Sequence, residues 1–151
     1  MTALPQTFDD LHLGWKHSLR RTITQADMEQ VIRVTGDQGG YHVDDDFARA
    51  AGFRTLITPG LLQAGMLTEI GGRLNFLARE MRFQFTNPVY VGDTLEACVE
   101  VTALDPGKEL VTMSAQVSNQ DGAAVLQAEI RGYMPRRAWG TPRKPPPVRL
   151  P

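Results

Sequence analysis

Four runs of strict alternation in the second half of the chain constrain its fold more than any other feature. Met81, Phe83 and Phe85 alternate with Arg82, Gln84 and Thr86, and Leu95, Ala97, Val99 and Val101 with Glu96, Cys98, Glu100 and Thr102. Val111, Met113, Ala115 and Val117 alternate with Thr112, Ser114, Gln116 and Ser118. Ala124, Leu126, Ala128 and Ile130 alternate with Val125, Gln127, Glu129 and Arg131. A period of two turns every second side chain to the same face, so each run reads as a strand with one buried face. Gly92-Asp93, Pro106-Gly107 and Asp121-Gly122 separate the runs with turn chemistry. This pattern predicts an antiparallel meander, with one further strand near Lys16–Ile23.

The first half carries helical signals. Thr24 and Asp27 make a capping box ahead of Met28, Val31 and Ile32, and Gly36 ends that helix. Asp44–Ala51 reads as a second short helix, with three acids at its N-terminal end and Gly52 as the cap. The longest candidate is Pro59–Leu74. Leu61, Leu62, Ala64, Met66, Leu67 and Ile70 cover most of its circumference, which predicts burial on all sides. Consecutive strands after a buried helix favour an α+β fold over a doubly wound α/β fold.

Composition limits the chemistry. The 151 residues suit one domain, here residues 1–134, large enough to fold without a disulfide or metal staple. Cys98 is the single cysteine, and His12, His17 and His42 show no metal-ligand spacing, so no metal or redox cofactor is expected. A net charge of −1 calls for neither nucleic acid nor a membrane surface, and no apolar run is long enough to span a bilayer. The N-terminus lacks the pattern of a signal peptide, which predicts a reducing, cytoplasmic location. Residues 135–151 hold six of the ten prolines and five of the sixteen basic residues with no acid, and read as an extended surface tail. Trp15 and Trp139 read as packing or surface anchors, and Cys98 as an inert thiol.

Reactive side chains concentrate in one stretch, Thr35-Gly36-Asp37-Gln38-Gly39-Gly40-Tyr41-His42-Val43-Asp44. A carboxylate and an imidazole that share a water make an acid/base pair near neutral pH, and Gly39-Gly40 lets the loop turn both toward one cavity. By spacing alone, Asp37 reads equally well as a helix cap and His42 as a surface residue.

The run Thr35-Gly36-Asp37, His42, Asp44, Phe47-Ala48 resembles the hydratase signature of the MaoC-like family of (R)-specific enoyl-CoA hydratases. Gly60-Leu61-Leu62 is similar to the start of that family's central helix. Phe83 and Phe85, followed by Pro88-Val89-Tyr90-Val91-Gly92-Asp93-Thr94, are similar to its next strand and turn. The resemblance spans residues 17–134. It implies a hot-dog fold, in which an antiparallel sheet wraps a long helix, and pairing into a homodimer.

It also implies an activity: reversible hydration of an α,β-unsaturated acyl thioester linked to coenzyme A or a carrier protein. Asp37 and His42 match the catalytic pair that holds the water. The enolate that hydration would form on the thioester oxygen needs a preorganised donor, and the helix N-terminus at Gly60, where a missing side chain admits the carbonyl closely, is the expected one. Thr68 matches a position where the family has a small hydroxyl residue near the site, although its hydroxyl could equally bond back to its own helix. The family has Asn-Pro where this chain has Gly39-Gly40, and His where it has Pro59. Two glycines predict a looser loop, one that positions the pair only when substrate is bound. The alternatives on the same fold are an acyl thioesterase and a non-catalytic acyl-binding subunit.

Overall fold

The computed structural model describes residues 3–137. The strands are β1 (Lys16–Thr22), β2 (Leu77–Phe85), β3 (Thr94–Asp105), β4 (Leu110–Ser118) and β5 (Ala124–Tyr133). The helices are α1 (Gln25–Thr35), α2 (Gly40–Val43), α3 (Asp45–Ala50) and α4 (Gly60–Arg73). One antiparallel sheet has the order β1-β3-β4-β5-β2. The fold is α+β and of the hot-dog type.

The alternating runs of β3, β4 and β5 bury the faces they predict, whereas in β2 Met81 and Phe83 are half-buried and Phe85 is exposed. Leu95, Ala97, Val99 and Val101 of β3 and Val111, Met113, Ala115 and Val117 of β4 are buried. Leu126 and Ile130 of β5 join them in a core shared with Ala64, Met66, Leu67 and Ile70 of α4. The capping box of α1 forms as expected: Thr24 Oγ1 accepts from Asp27 N at 3.1 Å, and Gly36 caps the other end at φ 70°.

Two expectations need correction. The first concerns the meander, which comprises only β3, β4 and β5, because β2 lies at the far edge beside β5. The connection over residues 86–93 crosses the end of the sheet instead of closing a hairpin. At its start, Thr86 N donates to Val125 O, and the Thr86 and Asn87 side chains donate to Ala124 O. At its finish, Gly92 N donates to Ile23 O and Ile23 N to Asp93 O, next to the end of β1. Eight residues can span that width, whereas a hairpin loop uses about two to five.

The second concerns α4, which is not buried all round. Gln63, Ala64, Met66, Leu67 and Ile70 are buried, but Leu61, Gly65, Thr68 and Gly72 form an exposed stripe. A sheet covers one side of a helix, so a single chain leaves the other side open.

The 44–51 segment also differs in detail. Asp44 ends the one-turn helix α2 and caps α3, accepting from Phe47 N at 3.1 Å. The beginning of the proline-rich segment is tied down. Pro135 O accepts from Phe8 N, and Arg136 pairs with Asp9 at 3.1 Å and with Glu109 at 3.2 Å. The remainder of that expected tail, including Trp139, lies outside the described residues.

Candidate active site

The glycine-rich stretch after α1 folds into a turn that carries His42. Gly39 O accepts from His42 N at 2.8 Å, and Gly40 O accepts from Asp44 N at 3.0 Å, closing α2. Two further bonds latch this turn to residue 57. Ile57 N donates to Tyr41 O at 3.0 Å, and His42 Nδ1 lies 2.8 Å from Ile57 O. A carbonyl accepts only, so Nδ1 carries a proton, which leaves Nε2 as the nitrogen turned toward the rest of the site.

Nε2 faces Asp37. His42 Nε2 is 3.5 Å from Asp37 Oδ2, with the ring largely buried and the carboxylate half exposed. Asp37 Oδ1 accepts from Gly39 N at 3.2 Å, which orients the carboxylate. With the ring in its neutral form, the two groups at this separation suit a shared water that donates to one and reaches the other.

His42 lines an open cleft of about 370 Å3 with Phe53, Ile57, Thr58, Gly60, Gln63 and residues 85–89. Gly60 opens α4 there, and no side chain caps that end of the helix. Its missing side chain has a steric reason, since a Cβ would lie 2.7 Å from Phe85 Cε1. The helix terminus therefore presents backbone N–H groups and the positive end of its dipole at the cleft. Among the described residues no group of three His, Cys, Asp or Glu side chains is placed to hold a metal ion.

The structure thus brings Asp37 to His42, and His42 to the same cleft as Gly60. Thr68 is elsewhere. It lines a separate apolar cavity of about 90 Å3 between the second half of α4 and the sheet, beside Phe76, Met81 and Met113. Its hydroxyl donates to Gly65 O at 2.7 Å within its own helix.

Sequence reasoning missed two groups. Asp93, read as a turn residue, does sit in a turn, but its carboxylate is buried. It accepts from Tyr90 N at 2.9 Å and Gln120 Nε2 at 3.0 Å, and lies 3.5 Å from Arg54, whose guanidinium sits 4.0 Å over the Tyr90 ring. Gln63 is the other. Its signal was present as one amide inside the apolar run Leu61-Leu62-Gln63-Ala64, three residues after Gly60.

Comparison with known proteins identifies the family. Residues 13–123 match the MaoC like domain. The chain is 32% identical over 134 residues to an (R)-specific enoyl-CoA hydratase of Rhodospirillum rubrum, covering 86% of this chain and 92% of that protein. It is 29% identical to a 3-hydroxybutyryl-CoA dehydratase of Methylorubrum extorquens, covering 89% and 88%. The unliganded R-hydratase of Pseudomonas aeruginosa superimposes with a TM-score of 0.82 over 97% of both chains, at 24% identity. With the domain matched over residues 13–123 and the fold shared along nearly its whole length, this chain belongs to the MaoC-like domain family.

Proposed function

We propose that this cleft adds water to, and removes it from, the α,β double bond of an acyl thioester linked to coenzyme A or a carrier protein. The observation that carries the reading is the His42–Asp37 geometry, in which Nδ1 is committed to Ile57 O while Nε2 faces the carboxylate at 3.5 Å. A water held by both groups attacks the β-carbon, and its proton passes to the pair. The pair then returns a proton to the α-carbon, so one water is added and no cofactor takes part. Between these events negative charge rests on the thioester oxygen as an enolate. The backbone N–H groups at Gly60 are the donors for that oxygen.

The assay is loss of the conjugated enoyl-thioester absorbance with crotonyl-CoA and longer, branched and carboxylated homologues, each as coenzyme A and carrier-protein thioesters. Turnover is expected on at least one. No turnover across the panel rejects the reading. Thiol release from a saturated acyl-CoA would assign the cleft to thioester hydrolysis. Tight acyl-CoA binding without turnover would assign it to a binding subunit.

A homodimer belongs to the same proposal. Edge strands carry unpaired backbone groups, and here β1 and β2 are the edges. Leu77 and Phe85 on β2 and Leu61 on α4 add exposed apolar area. Light scattering at micromolar concentration should give twice the chain mass, and a monomer mass would exclude the pairing. A cytoplasmic location completes the reading, supported by the resemblance to coenzyme A-dependent hydratases.

A further inference from the structure

Gln63 stands one helical turn from Gly60 on the same side of α4, since positions three apart are neighbours on a helix surface. It is 3% exposed and lines the cleft together with Gly60 and His42. Thr58, also buried, donates its hydroxyl to Gln63 Oε1 at 3.5 Å. That contact occupies the acceptor end of the amide. The two N–H donors on Nε2 have no partner among the described residues. Among the described residues no buried side-chain nitrogen or oxygen is sealed away without a hydrogen bond, so Nε2 retains an opening, and the cleft is the surface that Gln63 lines. An apolar side chain would fill this position without the cost of desolvating an amide.

We infer that the Gln63 side-chain amide is a second donor to the thioester oxygen, acting beside the backbone N–H at Gly60. The inference rests on the proposed hydration. An amide nitrogen can only donate, so its partner must be an acceptor. In that reaction the acceptor that gains charge is the thioester oxygen, and an sp2 oxygen takes two donors. Oxyanion sites built from one backbone N–H and one side-chain amide follow the same physics: fixed dipoles, shielded from water, aimed at developing charge. Thr58 acts as a positioning residue by holding the amide with its nitrogen toward the cleft.

The test has a kinetic arm and a binding arm. With crotonyl-CoA, Gln63→Leu should lower kcat by on the order of 100-fold with KM little changed, as for loss of one oxyanion donor. Thr58→Val should give a smaller kcat loss in the same direction. In the binding arm, saturated butyryl-CoA, which cannot be hydrated, is added to 15N-labelled parent protein. The Gln63 side-chain amide resonances should shift on saturation, and this arm needs no variant that must fold.

An unmoved amide, or a Gln63→Leu protein whose kcat stays at the parental level, overturns the inference while leaving hydration intact. A rise in KM alone also overturns it, since that marks uniform binding and not stabilisation of the enolate. If the parent binds butyryl-CoA with a shifted amide but hydrates nothing, the hydratase reading falls and the contact to the thioester oxygen stands.

Discussion

The ring of Phe47 lies against the bare Cα of Gly40, so close that a Cβ on residue 40 would sit 2.7 Å from Phe47 Cδ1. Tyr41 meets the same ring edge-on at 5.0 Å, and meets Phe53 edge-on at 5.9 Å. Phe53 in turn lines the cleft beside His42. The glycine pair expected to loosen this loop instead admits an aromatic clamp on the turn that carries the imidazole. Gly40→Ala should therefore destabilise by about 1–3 kcal/mol, the usual cost of overpacking. Gly40→Ala/Phe47→Ala should be more stable than the two single changes summed, because the second substitution removes the clash. Thermal unfolding of the four proteins checks this, and simple additivity would reject the clamp.

Asp37→Asn and His42→Ala should each lower hydration by on the order of 100-fold or more, the scale of a positioned acid/base group. The double variant should be little worse than either single one, since groups acting as a unit fail together. Asp37 is half exposed, so Asp37→Asn should unfold close to the parent's temperature, whereas His42→Ala loses the bond to Ile57 O and should melt somewhat lower. Near-parental turnover in both single variants would move the chemistry away from this pair.

Gly132 on β5 has no room for a side chain. A Cβ there would overlap the Leu77 carbonyl oxygen and lie 2.9 Å from Ala78 Cα, where β2 shifts register against β5. Backbone cannot rotate aside as a side chain can. Gly132→Ala should cost more than about 2 kcal/mol, toward the upper end for overpacked sites, and denaturant titration reads it directly. A loss no larger than that of an exposed strand substitution would contradict the close approach of β2.

Acid should weaken the fold through three carboxylates. The Thr7 hydroxyl, followed by the backbone N–H groups of Gln6 and Thr7, holds Asp10 below the ordinary aspartate range. Burial pushes Asp27 up, but hydrogen bonds from Thr24 and the Arg21 guanidinium outweigh it and hold this carboxyl low as well. The Thr55 hydroxyl, then Arg49, lowers Asp45. A depressed folded value means the unfolded chain takes up protons first, so this stability is complete above the unfolded value of about 3.9 and is lost as pH falls through the folded ones. Melting temperature should hold from pH 7 to about pH 5 with respect to these groups and drop below about pH 4. The drop should be shallower in Asp27→Asn, and an unchanged acid limb in that variant would show that its cap contributes nothing there. At neutral pH, Thr24→Ala should cost about 1 kcal/mol through the same cap.

Local chemistry was enough for much of this protein. Alternation named the buried faces of β3, β4 and β5, because a strand's periodicity records which side meets the core wherever its partners come from. Thr24, Asp27 and Gly36 bounded α1, because caps act within four residues. Asp37 and His42 were legible through the signature that contains them, and they do face each other. The place of β2 beside β5 was not legible, since a strand's pattern carries no record of its neighbour, and a crossing held by Thr86, Asn87, Gly92 and Asp93 decided it. Nor was the division of α4 into a covered side and an open stripe, which depends on how much of the helix the sheet reaches. Thr68 fell to a different cavity, and Gln63 to the cleft, because eight residues of helix separate Thr68 from Gly60 by about 12 Å while three leave Gln63 beside it. The Phe47–Gly40 contact joins two short helices across a single capping residue. Its angle is set by what α2 and α3 pack against, and only the tertiary structure supplies that.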